Sequence, residues 1–344
     1  MKTYFKTPTL ITKPENVKYL SGFSGSFGEL IITSNKKYLI TDARYKEQAK
    51  KLTNPDFEII IIENYKEDLS KLFKDNKIKT LRFESTNFTY SKFVSYSKVF
   101  SKIKLKPIQT EIDLLRMIKS EHEISLIQKS QVLNENTLTK ALKFLKPGIT
   151  EKELANKIIS IGLDLGAETV SFNPIVAFGK NSSSPHYTPD KYKLKESDIA
   201  LIDIGFKLNG YCSDMSRTFL PKNASSEMKN MYSLVLEAQE SCLKNLKSGI
   251  KASLGDKLSR DVFIKAGLDQ YFTHANGHGV GLEIHEAPSL SSKAKHKDKN
   301  IILQENMVVT VEPGLYFSGK FGIRIEDMAV ITKSGIKNLT KFTK

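Results

Sequence analysis

The segment IALIDIGFKLNGYCSDMSRTFL contains two β-prone apolar runs separated by Asn209-Gly210, the strongest short signal for a two-residue hairpin turn. Regular pairing sets Leu208 opposite Tyr211 and, counting outward, Asp214 opposite Gly205. Asp203 shares a face with Gly205, so the two aspartates are diagonal neighbours roughly 7–8 Å apart at their Cα atoms. Carboxylates so placed reach the same ion or ion pair. A solvated edge hairpin would explain them too, but Asp203 sits inside ALIDIGF, where a charge is costly to bury unless paired or coordinated.

A second pair recurs in MVVTVEPGLYFSGKFGIRIEDMAVIT. With Ser318-Gly319-Lys320 as a three-residue loop, Phe317 pairs with Phe321 and Glu312 comes opposite Glu326. Directly opposed carboxylates destabilise a strand pair unless a cation lies between them or one is protonated. Pro313 is expected to interrupt the ladder, and surface glutamates partnered by Arg324 or lysines are the alternative for this hairpin alone.

Histidine adds a third element, because four of the chain's six fall between His274 and His296, around HANGHGVGLEIHEAP. Glycines 277, 279 and 281 flank His278 and allow close backbone approach. The interval from His278 to His285 is not the i, i+4 spacing of a helical zinc motif. One imidazole can ligate a metal while the other donates to substrate, whereas His122 and His296 read as structural. Four carboxylates with one imidazole form a hard, oxygen-rich set, enough for two divalent ions ~3.5–4 Å apart as in two-metal hydrolases. Mn²⁺ fits best, and Zn²⁺ or Co²⁺ fits the same ligands.

These residues need strands and loops to carry them, and the chain supplies an alternation of both with helices. YLSGFSGSFGELIITSNKKYLITDARYKEQAK reads as a glycine-rich turn, strand, turn, strand and helix. Apolar runs at Phe57–Ile62 and Lys79–Phe83 flank helical periodicity over Lys66–Phe73, as in a layered α/β domain. From Ile112 to Leu145 the apolar spacing predicts one or two long amphipathic helices closed by Pro147-Gly148. A further helix starts at Thr150 with Glu153 at the capping-box position, and Ser225–Leu246 and Ser253–Ala266 are helical. The domain boundary is expected at about residues 110–118.

Composition bounds the rest. The 344 residues, 40% apolar and 26% charged, suit about two globular domains and exclude a disordered, collagen-like or coiled-coil chain. Nothing approaches the ~18 apolar residues of a membrane span, and MKTYFKTPTLITKPEN lacks a signal's apolar core, so no membrane partner and a cytoplasmic location are expected. Cys212 and Cys242 are too few for a disulfide framework and are expected to be reduced. The net charge of +15 would suit a polyanion, but only six basic residues are arginines and the lysines are scattered, so no nucleic-acid partner is expected. GFSGSFG lacks the ending of a phosphate loop and reads as a turn.

The ordered set Asp203, Asp214, His278, Glu312 and Glu326, within DIGFKLNGYCSDMSRTF, GHGVGLEIHE, VEPGLY and GIRIED, resembles the pita-bread metallopeptidases, specifically the proline-specific branch of Xaa-Pro aminopeptidases and prolidases. The segment from Tyr19 to Ala49 looks like the creatinase-type N-terminal domain of that branch. The resemblance implies an α/β N-terminal domain over residues 1–114, then an α+β pita-bread catalytic domain over 115–344. It implies metal ligation by the five named residues, and attack on the Xaa-Pro bond by a water bridging two metal ions, with Glu312 handling the proton. His285 and His186, the latter in SSSPHYTPD, match the branch's substrate-binding histidines, and Arg324 would orient Glu326 or contact substrate. Peptides with proline second are the implied substrates, and a homodimer the implied assembly. A prolidase acting on Xaa-Pro dipeptides is the nearest alternative. A non-catalytic binding protein, or a metal-independent creatinase-like hydrolase, would have no need of the intact five-residue set.

Overall fold

A computed structural model describes residues 5–293 and 301–344. The chain forms two compact units, one ending at Arg116 and the other starting at Met117.

The first unit is built on six strands: β1 (Thr9–Ile11), β2 (Glu29–Ile32), β3 (Lys37–Asp42), β4 (Glu58–Ile62), β5 (Thr80–Glu84) and β6 (Lys104–Ile108). They form one mixed sheet in the order β4-β3-β2-β1-β5-β6. Helices α1 (Pro14–Ser21), α2 (Lys46–Leu52), α3 (Tyr65–Asp75) and α4 (Tyr90–Val99) connect them. Successive strand residues go to opposite faces, and here both faces are covered. Leu10, Ile31, Tyr38 and Ile40 pack with Leu69 and Phe73 of α3, while Ile11, Leu30, Ile32 and Leu39 pack with Val17 and Leu20 of α1. Each such buried side chain contributes about 1.5–3 kcal/mol, so the continuous apolar runs of β2 and β3 suit a sheet sandwiched between helical layers.

The predicted long helix from Ile112 is corrected by the structure. Asp113–Arg116 is a single 3₁₀ turn, and α5 spans Glu121–Ala141. Ser120 starts it with a complete capping box, its hydroxyl accepting from Glu123 N–H while the Glu123 carboxylate accepts from Ser120 N–H. The periodicity misled because Ile112 and Leu115 belong to the first unit's core, whereas Met117 belongs to the second's.

In the second unit α5 is followed by α6 (Glu151–Asp164), β7 (Thr169–Val170), β8 (Ile175–Phe178), β9 (Ala200–Ile204), β10 (Phe206–Leu208), β11 (Tyr211–Cys212) and β12 (Met215–Phe219). Then come α7 (Ser226–Asn245), α8 (Ser253–Lys265), β13 (Gly277–Gly279), β14 (Glu286–Leu290), β15 (Val308–Val311), β16 (Gly314–Phe317), β17 (Phe321–Arg324), β18 (Asp327–Ile331) and β19 (Ile336–Asn338). Thr150 caps α6 with Glu153 in the expected capping box. Antiparallel ladders join β12-β9-β8, β14-β13-β15-β18-β19 and β16-β17. No helix among the described residues is long and apolar enough to cross a membrane.

Helices back these strands, and that decides where the polar residues point. Ala200, Ile202 and Ile204 of β9 pack against Leu154 and Ile158 of α6, leaving Leu201 and Asp203 on the opposite face. Val309 and Val311 pack in one helix-side core, Ile323 and Ile325 in another. Thr310, Glu312, Arg324 and Glu326 therefore turn away from the helices. The alternation of apolar and polar residues thus aims one polar row from each strand at a common space.

Candidate functional site

Both hairpins adopt the register that the sequence predicts. Leu208 pairs with Tyr211 across Asn209 and Gly210, whose φ values of 52° and 80° suit a type I′ turn. Beyond the turn Ile204 pairs with Met215, in unchanged register, so Asp214 falls opposite Gly205 and Ser216 opposite Asp203. A side chain at Gly205 would put its Cβ 2.2 Å from the Ser213 carbonyl oxygen, so only glycine lets the two strands meet there. In the second hairpin Phe317 pairs with Phe321, and Val311 pairs with Asp327 further out. The register again carries through, and Glu312 faces Glu326. Around Pro313 the ladder divides into two strand pairs, the interruption anticipated there.

His278 enters from β13, where a register shift between His278 and Gly279 re-aims the strand. Its backbone N–H donates to Thr310 Oγ1 at 3.0 Å. Gly277 makes this docking feasible, because a Cβ there would lie 2.1 Å from the Thr310 carbonyl oxygen.

The side chains converge. Ligand atoms of Asp214, His278 and Glu326 all lie within 4.8 Å of one another. His278 Nε2 is 3.6 Å from Asp214 Oδ2 and 3.4 Å from Glu312 Oε1. Asp203 joins through Arg324, whose Nη2 donates to Asp203 Oδ2 at 2.6 Å. Burial first, then the neighbouring carboxylates, raises Asp214 and Glu326 well above the usual carboxylate range, and burial likewise raises Glu312. Burial lowers His278 below the usual histidine range, which keeps the imidazole neutral.

This donor set fits divalent cations. Asp203 Oδ1 and Glu326 Oε1 are buried and have no hydrogen-bond partner among the described residues. His278 Nδ1 lies 3.1 Å from the Gly279 carbonyl oxygen, so that nitrogen carries the proton and Nε2 presents a lone pair to carboxylate oxygens. Acceptors facing acceptors in a buried space call for positive charge between them.

His186 and His285 are exposed. The His285 ring stands 4.3 Å from that of His278, centroid to centroid, and burial above all lowers its pKa. His186 is near enough for its charge to depress both His274 and His285. His122 is exposed on the first turn of α5, and His296 lies outside the described residues.

Three further residues belong to this cluster and were missed in the sequence. Ser216 Oγ donates to Glu326 Oε2 at 2.8 Å and accepts from Arg324 Nε at 2.8 Å. The Tyr316 hydroxyl accepts from Arg324 Nη1 at 2.8 Å and lies 2.8 Å from His274 Nε2. His274 Nδ1 sits 2.7 Å from the Ala275 carbonyl oxygen, so it carries the ring proton and Nε2 receives the tyrosine's. The hairpin register held the signal for Ser216, which it places opposite Asp203.

The profile of metallopeptidase family M24 matches residues 125–333, and that of the creatinase/prolidase N-terminal domain matches residues 8–118. A putative Xaa-Pro aminopeptidase of Mycoplasma genitalium is 35% identical over 97% of this chain and 92% of its own length. Among solved structures, the X-Pro aminopeptidase of Thermotoga maritima has a TM-score of 0.92 at 36% identity, covering 99% of this chain and 97% of its own. The prolidase of Pyrococcus furiosus has a TM-score of 0.90 at 32% identity, covering 100% and 98%. The chain is thus a member of metallopeptidase family M24 with a creatinase/prolidase N-terminal domain, in a family of hydrolases that use divalent metal ions.

Proposed function

We propose that this chain is an Xaa-Pro aminopeptidase, which removes the first residue from peptides whose second residue is proline. Asp203, Asp214, His278, Glu312 and Glu326 hold two divalent ions, with Mn²⁺ ahead of Zn²⁺ and Co²⁺ because carboxylate oxygens dominate the set. When bound, the ions lower the pKa of the attacking water and polarise the scissile carbonyl. Glu312 would take a proton from that water and return it to the leaving proline nitrogen. His186 and His285, both exposed, bind the peptide and donate to the oxyanion as the carbonyl carbon becomes tetrahedral. Arg324 holds Asp203 and, through Ser216, Glu326.

The observation that carries this reading is the pair of buried, partnerless oxygens, Asp203 Oδ1 and Glu326 Oε1, in a cluster with the bare Nε2 of His278. The creatinase-type domain at residues 1–114 and the catalytic domain at 115–344, a homodimeric assembly and a cytoplasmic location complete the proposal. The two-domain division is supported by the likeness to the Thermotoga maritima enzyme over nearly its whole length, while the assembly and the location rest on the family resemblance alone.

Cleavage of Ala-Pro, Ala-Pro-Ala and Ala-Ala-Ala by the Mn²⁺-loaded protein tests it, with Asp214→Ala as control. Loss of alanine from Ala-Pro-Ala alone, absent in the variant, is the expected result. Cleavage of Ala-Pro alone would make the chain a prolidase, and no cleavage by a metal-loaded protein would sink both readings.

A further inference from the structure

The second unit buries another carboxylate, outside the acidic cluster. Glu151, in the first turn of α6, is wholly buried. Its Oε1 accepts from Phe178 N–H at 2.8 Å and from Asn181 Nδ2 at 2.9 Å, and its Oε2 accepts from Asp190 N–H at 3.3 Å. Asn181 Nδ2 also donates to the Tyr187 hydroxyl at 2.9 Å. The backbone adds two more ties, from Glu151 N–H to the Tyr192 carbonyl at 3.1 Å and from Lys152 N–H to the Asp190 carbonyl at 3.0 Å. One side chain thus grips the segment 178–190 at both ends and in the middle.

That segment carries His186. Its other side is seated on β17, where Ser182 Oγ accepts from Gly322 N–H at 2.8 Å and the Pro185 carbonyl accepts from Arg324 Nη1 at 3.3 Å. His186 is exposed, so its own packing does little to place it, and the frame around it must do so. A carboxylate suits this frame because three N–H groups converge on it and each of its oxygens offers two acceptor sites. An amide would turn an NH₂ group toward one set of those donors.

We infer that Glu151 is a positioning residue of the peptidase: by gripping Phe178, Asn181 and Asp190 it sets His186 for the substrate, without touching the metal ligands. The inference rests on the substrate role proposed for His186. A double-mutant cycle tests it, with wild type, Glu151→Gln, His186→Ala and the double variant loaded with Mn²⁺ and assayed on Ala-Pro-Ala. Glu151→Gln is expected to lower kcat/KM on the order of 10²-fold, the effect of a displacement of about 1 Å, with Mn²⁺ stoichiometry unchanged. In the His186→Ala background the same change should cost less than about threefold, because coupled residues are non-additive. Additive losses, or loss of Mn²⁺ from Glu151→Gln, would overturn the inference. Hydrogen exchange gives a readout independent of activity: amides of 178–190 should exchange faster in Glu151→Gln, while those of β15 and β18 stay as in wild type. Unchanged exchange in 178–190 overturns it as well, whereas an inactive wild type with the expected exchange would sink only the substrate reading. If Glu151→Gln fails to fold, Asn181→Ala, which releases the middle grip alone, takes its place in the cycle.

Discussion

Ser216 gives one hydroxyl to two charged groups, donating to Glu326 and accepting from Arg324. It thereby fixes which Glu326 oxygen stays bare and holds Arg324 in place to grip Asp203. Groups that orient ligands in this way typically contribute 10–100-fold in metal affinity or activity. Ser216→Ala should therefore lose about 10–100-fold in Mn²⁺ affinity by calorimetric titration, with the thermal transition of metal-free protein little changed. The carboxylates and His278 were legible in the sequence because a charge in an apolar strand, or opposite another charge, carries a cost that demands explanation. Ser216, Tyr316 and His274 raise no such demand. A serine, a tyrosine or a histidine on a strand or loop is unremarkable until its neighbours are known.

Strand ladders do the positioning, and both hairpins are interrupted at a carboxylate, at the Gly205–Asp214 pair in one and at the Glu312–Glu326 pair in the other. The turn residues and apolar alternation of the two hairpins specified their register, so pairings many residues from the turns could be counted correctly. Helix starts were less legible. Thr150-x-x-Glu153 is legible as a capping box, but Ser120-x-x-Glu123 is obscured, since apolar residues on its N-terminal side continue the helical period while packing into a different core. Gly277 marks a close approach between β13 and β15. Gly277→Ala would force its Cβ against the Thr310 carbonyl, and overpacking of this kind costs about 1–3 kcal/mol. The expected outcome is a lowered urea midpoint together with weakened Mn²⁺ binding, because β13 carries His278.

The two units should respond to different solution conditions. Cation binding to the folded second unit stabilises it by mass action, about 4 kcal/mol at a concentration a thousandfold above Kd. Calorimetry with added Mn²⁺ should raise one transition and leave the other in place, and Asp214→Ala should abolish the shift. The first unit carries a proton-linked carboxyl of its own. Glu84 is buried, accepting from Thr12 N–H at 2.7 Å and Lys13 N–H at 2.9 Å, and burial raises its carboxyl above the usual range. The folded unit thus holds this proton more tightly than the unfolded chain. Its contribution is complete below about pH 4.3, the ordinary glutamate value, and is lost as pH rises through the raised value. Urea midpoints of Glu84→Gln should consequently fall less than those of wild type between acidic and neutral pH. Equal slopes would assign the pH dependence to other groups.

The unbroken register across the interruption at Pro313 makes the loop Ser318–Lys320 a ruler for chemistry that it never touches. Side chains alternate strictly along a strand. Deleting a single loop residue and pairing the strands anew would swing Ile325 toward the polar space and send Glu326 into the helix-side core. Changes of loop length that shift the pairing by two residues keep every side chain on its own face. Tolerance of this enzyme to insertions and deletions at that distant tip should therefore depend on parity, odd slips being incompatible with the acidic cluster and even ones preserving its sidedness.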